Sequence, residues 1–191
     1  AQAMKQARLR HRQLTKPPGS LGRLEELSVQ LAGIFGGAMP VPAQKVVIVA
    51  AGDHGVVAEG VTGYPQAVTA QMVQNFLGGG AAINVLARQV GARVVVVDVG
   101  VAGDLPPRPN LLSLRLGPGT GNIARGPAMS AEQAQRAILE GVKLAQAEVA
   151  RGAHLIATGD MGIGNTTAAS AVTAALTGLP PEATTGRGTG R

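Results

Sequence analysis

The chain has 191 residues, 45% hydrophobic and 15% charged, with a mean hydropathy of +0.18, which is enough apolar material for a buried core and excludes a disordered chain. Aromatic residues are 2% and cysteine is absent, so base-stacking nucleic-acid modules, disulfide scaffolds, thiolate zinc sites and cysteine nucleophiles are all excluded. The net charge of +6 is local: six of the 17 basic residues (Lys5, Arg8, Arg10, Arg12, Lys16 and Arg23) precede the first acid, which describes a solvated basic arm on a neutral body rather than a nucleic-acid footprint.

Taken in chain order, Pro17-Pro18-Gly19 ends the basic arm. Ser20 is expected to cap a helix with the apolar face Leu21, Leu24, Leu27, Leu31 and Ile34, closed by Gly36-Gly37. Lys45 to Ala51 is a continuous β-branched run, the pattern of a strand buried on both faces. Its apolar core, Val46 to Ala51, is the longest in the chain and far too short to span a bilayer. No apolar signal segment follows the basic start, so a soluble, cytoplasmic protein is expected, with neither membrane nor nucleic acid as a partner. Residues 66–77 and 80–90 read as helices around Gly78-Gly79-Gly80. Arg93 to Val99 reads as a second buried strand and Leu111 to Leu116 as a third. Ser130 and Gln133 form a capping box that opens a helix with the stripe Ala134, Ile138, Val142, Ala145 and Val149. His154 to Thr158 is a fourth strand, and Thr166 to Thr177 an alanine-rich helix. Buried strands alternating with helices predict an α/β fold, a doubly wound parallel sheet with helices on both faces.

Ligands of such sheets bind beyond the carboxyl ends of the strands. There the sequence places Gly52-Asp53-His54-Gly55, Asp98 with Gly100, Gly117-Pro-Gly-Thr-Gly-Asn122, and Gly159-Asp-Met-Gly-Ile-Gly-Asn-Thr-Thr167. Together they outline a polar, glycine-walled cleft. Gly159 to Thr166 has the spacing of a phosphate loop, but Asn165 stands where the lysine for the β- and γ-phosphates belongs, which removes a triphosphatase reading. A glycine-rich turn and a helix N-terminus remain, with the hydroxyls of Thr166 and Thr167, suited to one phosphate or carboxylate. Asp160 within that turn would repel a phosphate unless it faces another part of the ligand, such as a ribose hydroxyl or positive charge forming on the sugar; a helix-capping role is the alternative. Gly119 to Ala124 imitates a dinucleotide fingerprint, but Pro127 falls where its helix should run. Asp53-His54 reads either as an acid–base pair or as a hydrogen-bonded turn. Tyr64, Val68 and Met72 fall near one helical side, as a flat apolar wall or simply as core.

With these residues laid out, the chain resembles the nicotinate-nucleotide–dimethylbenzimidazole phosphoribosyltransferases of cobalamin synthesis. The resemblance rests on Thr-Lys-Pro-Pro-Gly-Ser-Leu-Gly-Arg-Leu-Glu at 15–25, Ala-Gly-Asp-His-Gly-Val at 51–56, Tyr-Pro-Gln at 64–66 and Val-Thr-Ala-Gln-Met-Val at 68–73. It continues through 79–87, 97–100, 119–124 and 126–130 to Met-Gly-Ile-Gly-Asn-Thr-Thr at 161–167 and Gly-Arg-Gly-Thr-Gly at 186–190, in the family's order.

The resemblance implies transfer of the 5-phosphoribosyl group from nicotinate mononucleotide to 5,6-dimethylbenzimidazole, giving α-ribazole 5′-phosphate and nicotinate. It implies a homodimer, no metal and no cofactor. It also implies part of a small helical domain at residues 1–38, with residues 39–191 forming the N-terminal portion of the α/β nucleotide-binding domain. The base pocket maps to Tyr64 and Met72. The nucleotide site maps to Asp160, Gly162, Gly164, Asn165, Thr166 and the glycines of 186–190, including Gly186 and Gly188. Two departures matter. The family usually carries glutamate at the position of Asp160, one methylene longer. Its catalytic base is a glutamate in the C-terminal half, beyond Arg191, as are a phosphate-contacting lysine and a glycine-rich loop. The chain is therefore expected to correspond to about the first half of such an enzyme, with Asp160 in a supporting role. The alternatives are a non-catalytic module that binds a phosphate ligand, or a different nucleotide enzyme such as a dehydrogenase.

Overall fold

The computed structural model describes residues 2–37 and 41–189. The chain divides into two compact units, Ala1–Ala43 and Gln44–Arg191; the boundary expected between residues 38 and 39 lies outside the described residues.

The first unit is a pair of helices, α1 (Gln2–Gln13) and α2 (Arg23–Phe35). Ala3 and Ala7 of α1 are buried, as are Val29 and Ala32 of α2, and a Cβ on Gly33 would press on the Met4 side chain. Small residues on both helices let the backbones approach closely, and that geometry decides which face of α2 is used. The leucine stripe expected to be buried is turned outward instead: Leu24 is 64% and Ile34 68% exposed. Nor does Ser20 cap α2. Gly22 is the N-cap and no side chain bonds there. The basic arm is solvated as expected, except that Lys16 is partly buried against Glu25, at 2.6 Å.

In the second unit, β1 (Lys45–Gly52), β2 (Ala92–Gly100), β3 (Leu111–Ser113) and β4 (Leu155–Met161) form a parallel sheet in the order β3-β2-β1-β4. Valine-rich β1 and β2 occupy its centre because both their faces are covered. On one face α3 (Val68–Leu77) packs Val73 and Phe76 against Val49, Ala51 and Val96, joined by Ala81, the N-cap of α4 (Ala82–Val90), and by Ile83 of that helix. On the other, Leu144 of α5 (Ala131–Ala150) meets Val46, Ile48 and Val97. Helices on both faces of a parallel sheet make this the doubly wound α/β fold the sequence predicts. The Ser130–Gln133 capping box opens α5 as expected, its two bonds 3.1 and 2.8 Å long. β4 leads into α6 (Asn165–Thr177), and a single turn, α7 (Pro181–Thr184), follows.

Several local expectations change. The third strand stops at Ser113, after pairing only with β2. β4 begins at Leu155, runs on through Asp160 to Met161 and pairs only with β1; with one neighbour it is largely exposed rather than buried. The large residues of the α5 stripe, Ile138, Val142 and Val149, also face outward, with Ile138 69% exposed, because the register that seats Leu144 on the sheet carries Ala137, Gly141 and Glu148 inward. Ala134 and Ala145 of that stripe are half-buried.

Glu148 has no exposed surface, yet it is a carboxylate, held by Arg93 at the start of β2 and by Arg151 at 2.9 Å. The hydrogen bond from Arg93 is the largest influence holding its pKa below the usual carboxylate range. Folded Glu148 therefore binds a proton less readily than in the unfolded chain, and the stabilisation is present at neutral pH and lost as pH falls through the acid range. Arg93→Met should cost about 2 kcal/mol at pH 7, because Arg151 remains as a partner. Denaturant titration should show that difference shrinking toward pH 3.

Candidate active site

The strand order places a topological switch between β1 and β4: one connection from the centre runs to β2, and the return from β3 lands on the other flank of β1. The crevice beyond these two strands is where such folds bind ligands. The expected strand-end loops interlock there. The Asp53 N–H donates to the Gly100 carbonyl, and the Thr120 N–H donates to the Asp53 carbonyl, both at 2.9 Å. Gly119 (φ 98°) has no room for a side chain, since a Cβ would lie 3.1 Å from the Asp53 carbonyl oxygen. Gly162 is more constrained still: its Cβ would collide with the Gly52 carbonyl oxygen and lie 3.0 Å from His54 Nε2.

A cleft of about 440 Å³ opens between these loops, the α5 face of the sheet and α5 itself. Gly52, Asp53, His54, Gly119, Thr120 and Asp160 form its polar end. Ile48, Val97, Val99 and Ile156 form its floor, with Ala137, Gly141 and Ala145 of α5 opposite. Sequence reasoning misses the contribution of α5; Gly141, an isolated glycine inside a helix, is the one available signal.

Asp53 and Asp98 are both 3% exposed. Asp98 Oδ1 accepts from the N–H groups of Gly100 and Val101, and Asp53 Oδ2 from that of Ala102 at 2.7 Å. Both carboxylates thus tie down the loop after β2. Burial is the leading influence on His54 and pushes the imidazole below its usual pKa, opposed by the charges of Asp160 and Asp53.

Asp160 lies in β4 rather than in the turn after it, and Asn165 Nδ2 donates to its Oδ2 at 2.9 Å. This placement removes the expected conflict with an anion, since the carboxylate is set one step back from the turn. Gly164 (φ 85°) is the N-cap of α6, and no side chain caps that helix; its first turn is a ready anion site. The turn is held from beneath by Thr69 of α3, whose hydroxyl accepts the Ile163 N–H at 3.1 Å. Nothing in the sequence marks that fully buried threonine.

The 186–189 segment folds back onto the same region. A Cβ on Gly188 would lie 2.8 Å from Thr166 Oγ1, and Thr189 shares a 3.1 Å hydrogen bond with Thr62. Thr62 in turn accepts the Tyr64 N–H at 3.3 Å. Asp160, Gly162, Gly164, Asn165, Thr166 and Gly188 are thereby brought together, with the Tyr64 segment beside them. Nothing lies within 4 Å of the Cβ position of Gly186, so close packing does not explain that glycine, and Gly190 lies outside the described residues. Tyr64 precedes α3 and is 55% exposed, while Met72 packs partly against the core beneath the opposite face of the sheet. The two do not share a helical face. The loop after Gly119 runs to Ser130 without a helix, as Pro127 predicts, so it is no dinucleotide turn. Among the described residues, no group of three or more His, Cys, Asp or Glu side chains could hold a metal ion.

A family profile described as phosphoribosyltransferase matches residues 1–191. The chain belongs to the phosphoribosyltransferase family. The nicotinate-nucleotide–dimethylbenzimidazole phosphoribosyltransferase of Thermus thermophilus is 60% identical over 185 residues, covering 97% of this chain and 55% of the relative. The protein of the same name from Chloroflexus aurantiacus is 59% identical over 184 residues, covering 96% of this chain and 52% of the relative. The crystal structure of CobT from Thermus thermophilus superposes with a TM-score of 0.94 at 58% identity, covering all of this chain and 57% of that one. This phosphoribosyltransferase chain thus spans about half the length of the relatives it matches.

Proposed function

We propose that this chain carries the nucleotide-binding part of a nicotinate-nucleotide–dimethylbenzimidazole phosphoribosyltransferase acting in cobalamin synthesis, cytoplasmic and homodimeric in its full-length form. The observation that supports this reading most strongly is the identity of about 60% with relatives of that name across nearly the whole chain.

In the proposed reaction a base removes the N–H proton of 5,6-dimethylbenzimidazole, and that nitrogen attacks C1′ of nicotinate mononucleotide. The bond from C1′ to the pyridinium nitrogen breaks, and its electron pair leaves with nicotinate. Attack opposite the departing group inverts the anomeric centre and gives α-ribazole 5′-phosphate. Gly162, Gly164, Asn165, Thr166, Gly186 and Gly188 would hold the nucleotide, with backbone N–H groups and hydroxyls at the α6 terminus meeting the phosphate. Asp160 would stabilise positive charge building on the ribose. Benzimidazole-dependent release of nicotinate by the full-length protein is the direct test.

Tyr64 and Met72 are proposed to line the base pocket. Met72→Ala should raise the KM for the benzimidazole about tenfold, as loss of an apolar contact costs on the order of 1–3 kcal/mol. If Met72 serves only the core, thermal stability falls and the KM of the folded fraction does not change.

A further inference from the structure

The Asp53-His54 motif has no part in the reaction as read above, yet the structure presents His54 with care. Asp53 is pinned to the loops after β2 and β3 through Gly100 and Thr120, and the Gly55 N–H donates to Thr120 Oγ1 at 3.3 Å. The backbone on either side of His54 is therefore fixed by two other strand-end loops. Gly55 reinforces the clamp, as a Cβ there would lie 2.6 Å from the Gly121 carbonyl carbon. From this seat the imidazole edge lies against Gly162, within 3.0–3.1 Å of the Cβ position that glycine leaves open. β1 and β4 pair with Ala50 opposite Asp160, and both His54 and Asp160 line the cleft at its polar end. No protein hydrogen bond engages the imidazole among the described residues, and Asn165 engages only Oδ2 of Asp160.

We propose that His54 is a positioning residue for Asp160: clamped by the loops after β2 and β3, its imidazole has a nitrogen available to hydrogen-bond that carboxylate and orient it toward the ribose once the nucleotide is bound. This rests on the reading of Asp160 as part of the nucleotide site. The charges acting on the imidazole are those of Asp160 from β4 and Asp53 beside it; Glu140 of α5, paired with Lys143, is the other ionisable group lining the same cleft. Burial favours the neutral ring, which keeps one N–H to donate and one nitrogen to accept.

The test uses the full-length protein. His54→Leu keeps approximate bulk without nitrogen atoms, and His54→Gln keeps a donor. His54→Leu should lower kcat/KM for the nucleotide about 30-fold, and His54→Gln should recover to within about fivefold of the parent. Asp160→Asn should add little to His54→Leu, because the two residues act as a unit. An NMR titration supplies a readout independent of turnover: Asp160→Asn should lower the His54 imidazole pKa by about half a pH unit or more, through loss of the neighbouring negative charge. Equal activity of the Leu and Gln variants, additive losses, or an unmoved titration would each overturn the proposal. If His54→Leu fails to fold, His54→Gln and the titration decide. A parent without transferase activity would instead remove the functional reading, and the titration would still decide whether His54 and Asp160 are coupled.

Discussion

Residues 1–191 alone should form no measurable α-ribazole 5′-phosphate, whereas the protein including the second half that its relatives possess should turn over at least about 10⁴-fold faster. The reason lies in what the strand-end loops hold. A general base must reach the benzimidazole proton and have a pKa suited to neutral pH. Asp53 and Asp98 are both buried, each with one carboxylate oxygen held by backbone N–H groups: Oδ2 of Asp53 by Ala102, and Oδ1 of Asp98 by Gly100 and Val101. Asp160 is engaged by Asn165 and is proposed to act on the ribose. His54 is clamped and seated against Gly162. None is arranged to collect a proton from a base lying on the Tyr64 and Met72 side. In the full-length enzyme, Asp160→Asn should cost about 10²-fold or less in kcat, the scale of an electrostatic group rather than of the base. Steady turnover by residues 1–191 would move the base to Asp160 or His54.

Gly162→Val should weaken nicotinate mononucleotide binding by at least about 10²-fold while leaving benzimidazole affinity within about threefold. A Cβ at this position meets the Gly52 carbonyl oxygen and the His54 ring, so the turn from β4 into α6 must shift. The α6 terminus and its hydroxyls move with that turn. Gly52 ends β1 and pairs with Gly100 of β2, and His54 is held by other loops, so it is the 162–164 segment that gives way. Gly164→Val should act similarly, since its φ of 85° strains any β-branched residue. Calorimetry with each ligand separately reads the effect, and circular dichroism confirms that the variant is folded. Unchanged nucleotide affinity in a folded variant would remove the turn from the binding site.

The parts of this molecule written plainly in the sequence are those where a single physical requirement decides the outcome. β1 and β2 are legible because a strand covered on both faces must be apolar throughout, and the α5 terminus because Ser130 and Gln133 satisfy each other's backbone. The strand-end glycines are legible as a group, although the reason for each one is tertiary: Gly162 is glycine because of Gly52 and His54, more than a hundred residues earlier. The leucines of α2 and the stripe of α5 read as apolar faces, yet Leu21, Leu24, Leu27 and Ile34 of the first and Ile138, Val142 and Val149 of the second are turned outward. Periodicity marks an apolar face; it does not say which neighbour takes it, and here Ala3, Ala7 and Leu144 select other faces. Glycine before Asp160 reads as the start of a turn, whereas pairing with Ala50 keeps Asp160 in the strand. The Glu148 ion pairs and the support from Thr69 depend on distant elements and leave no local sign.

The most direct measurement is the product itself. The full-length protein is incubated with nicotinate mononucleotide and 5,6-dimethylbenzimidazole, and the anomeric configuration of the ribosyl product is read by NMR. In-line displacement at the switch-point crevice predicts α-ribazole 5′-phosphate formed in step with free nicotinate. Absence of product, or a β-configured ribosyl product, would contradict it.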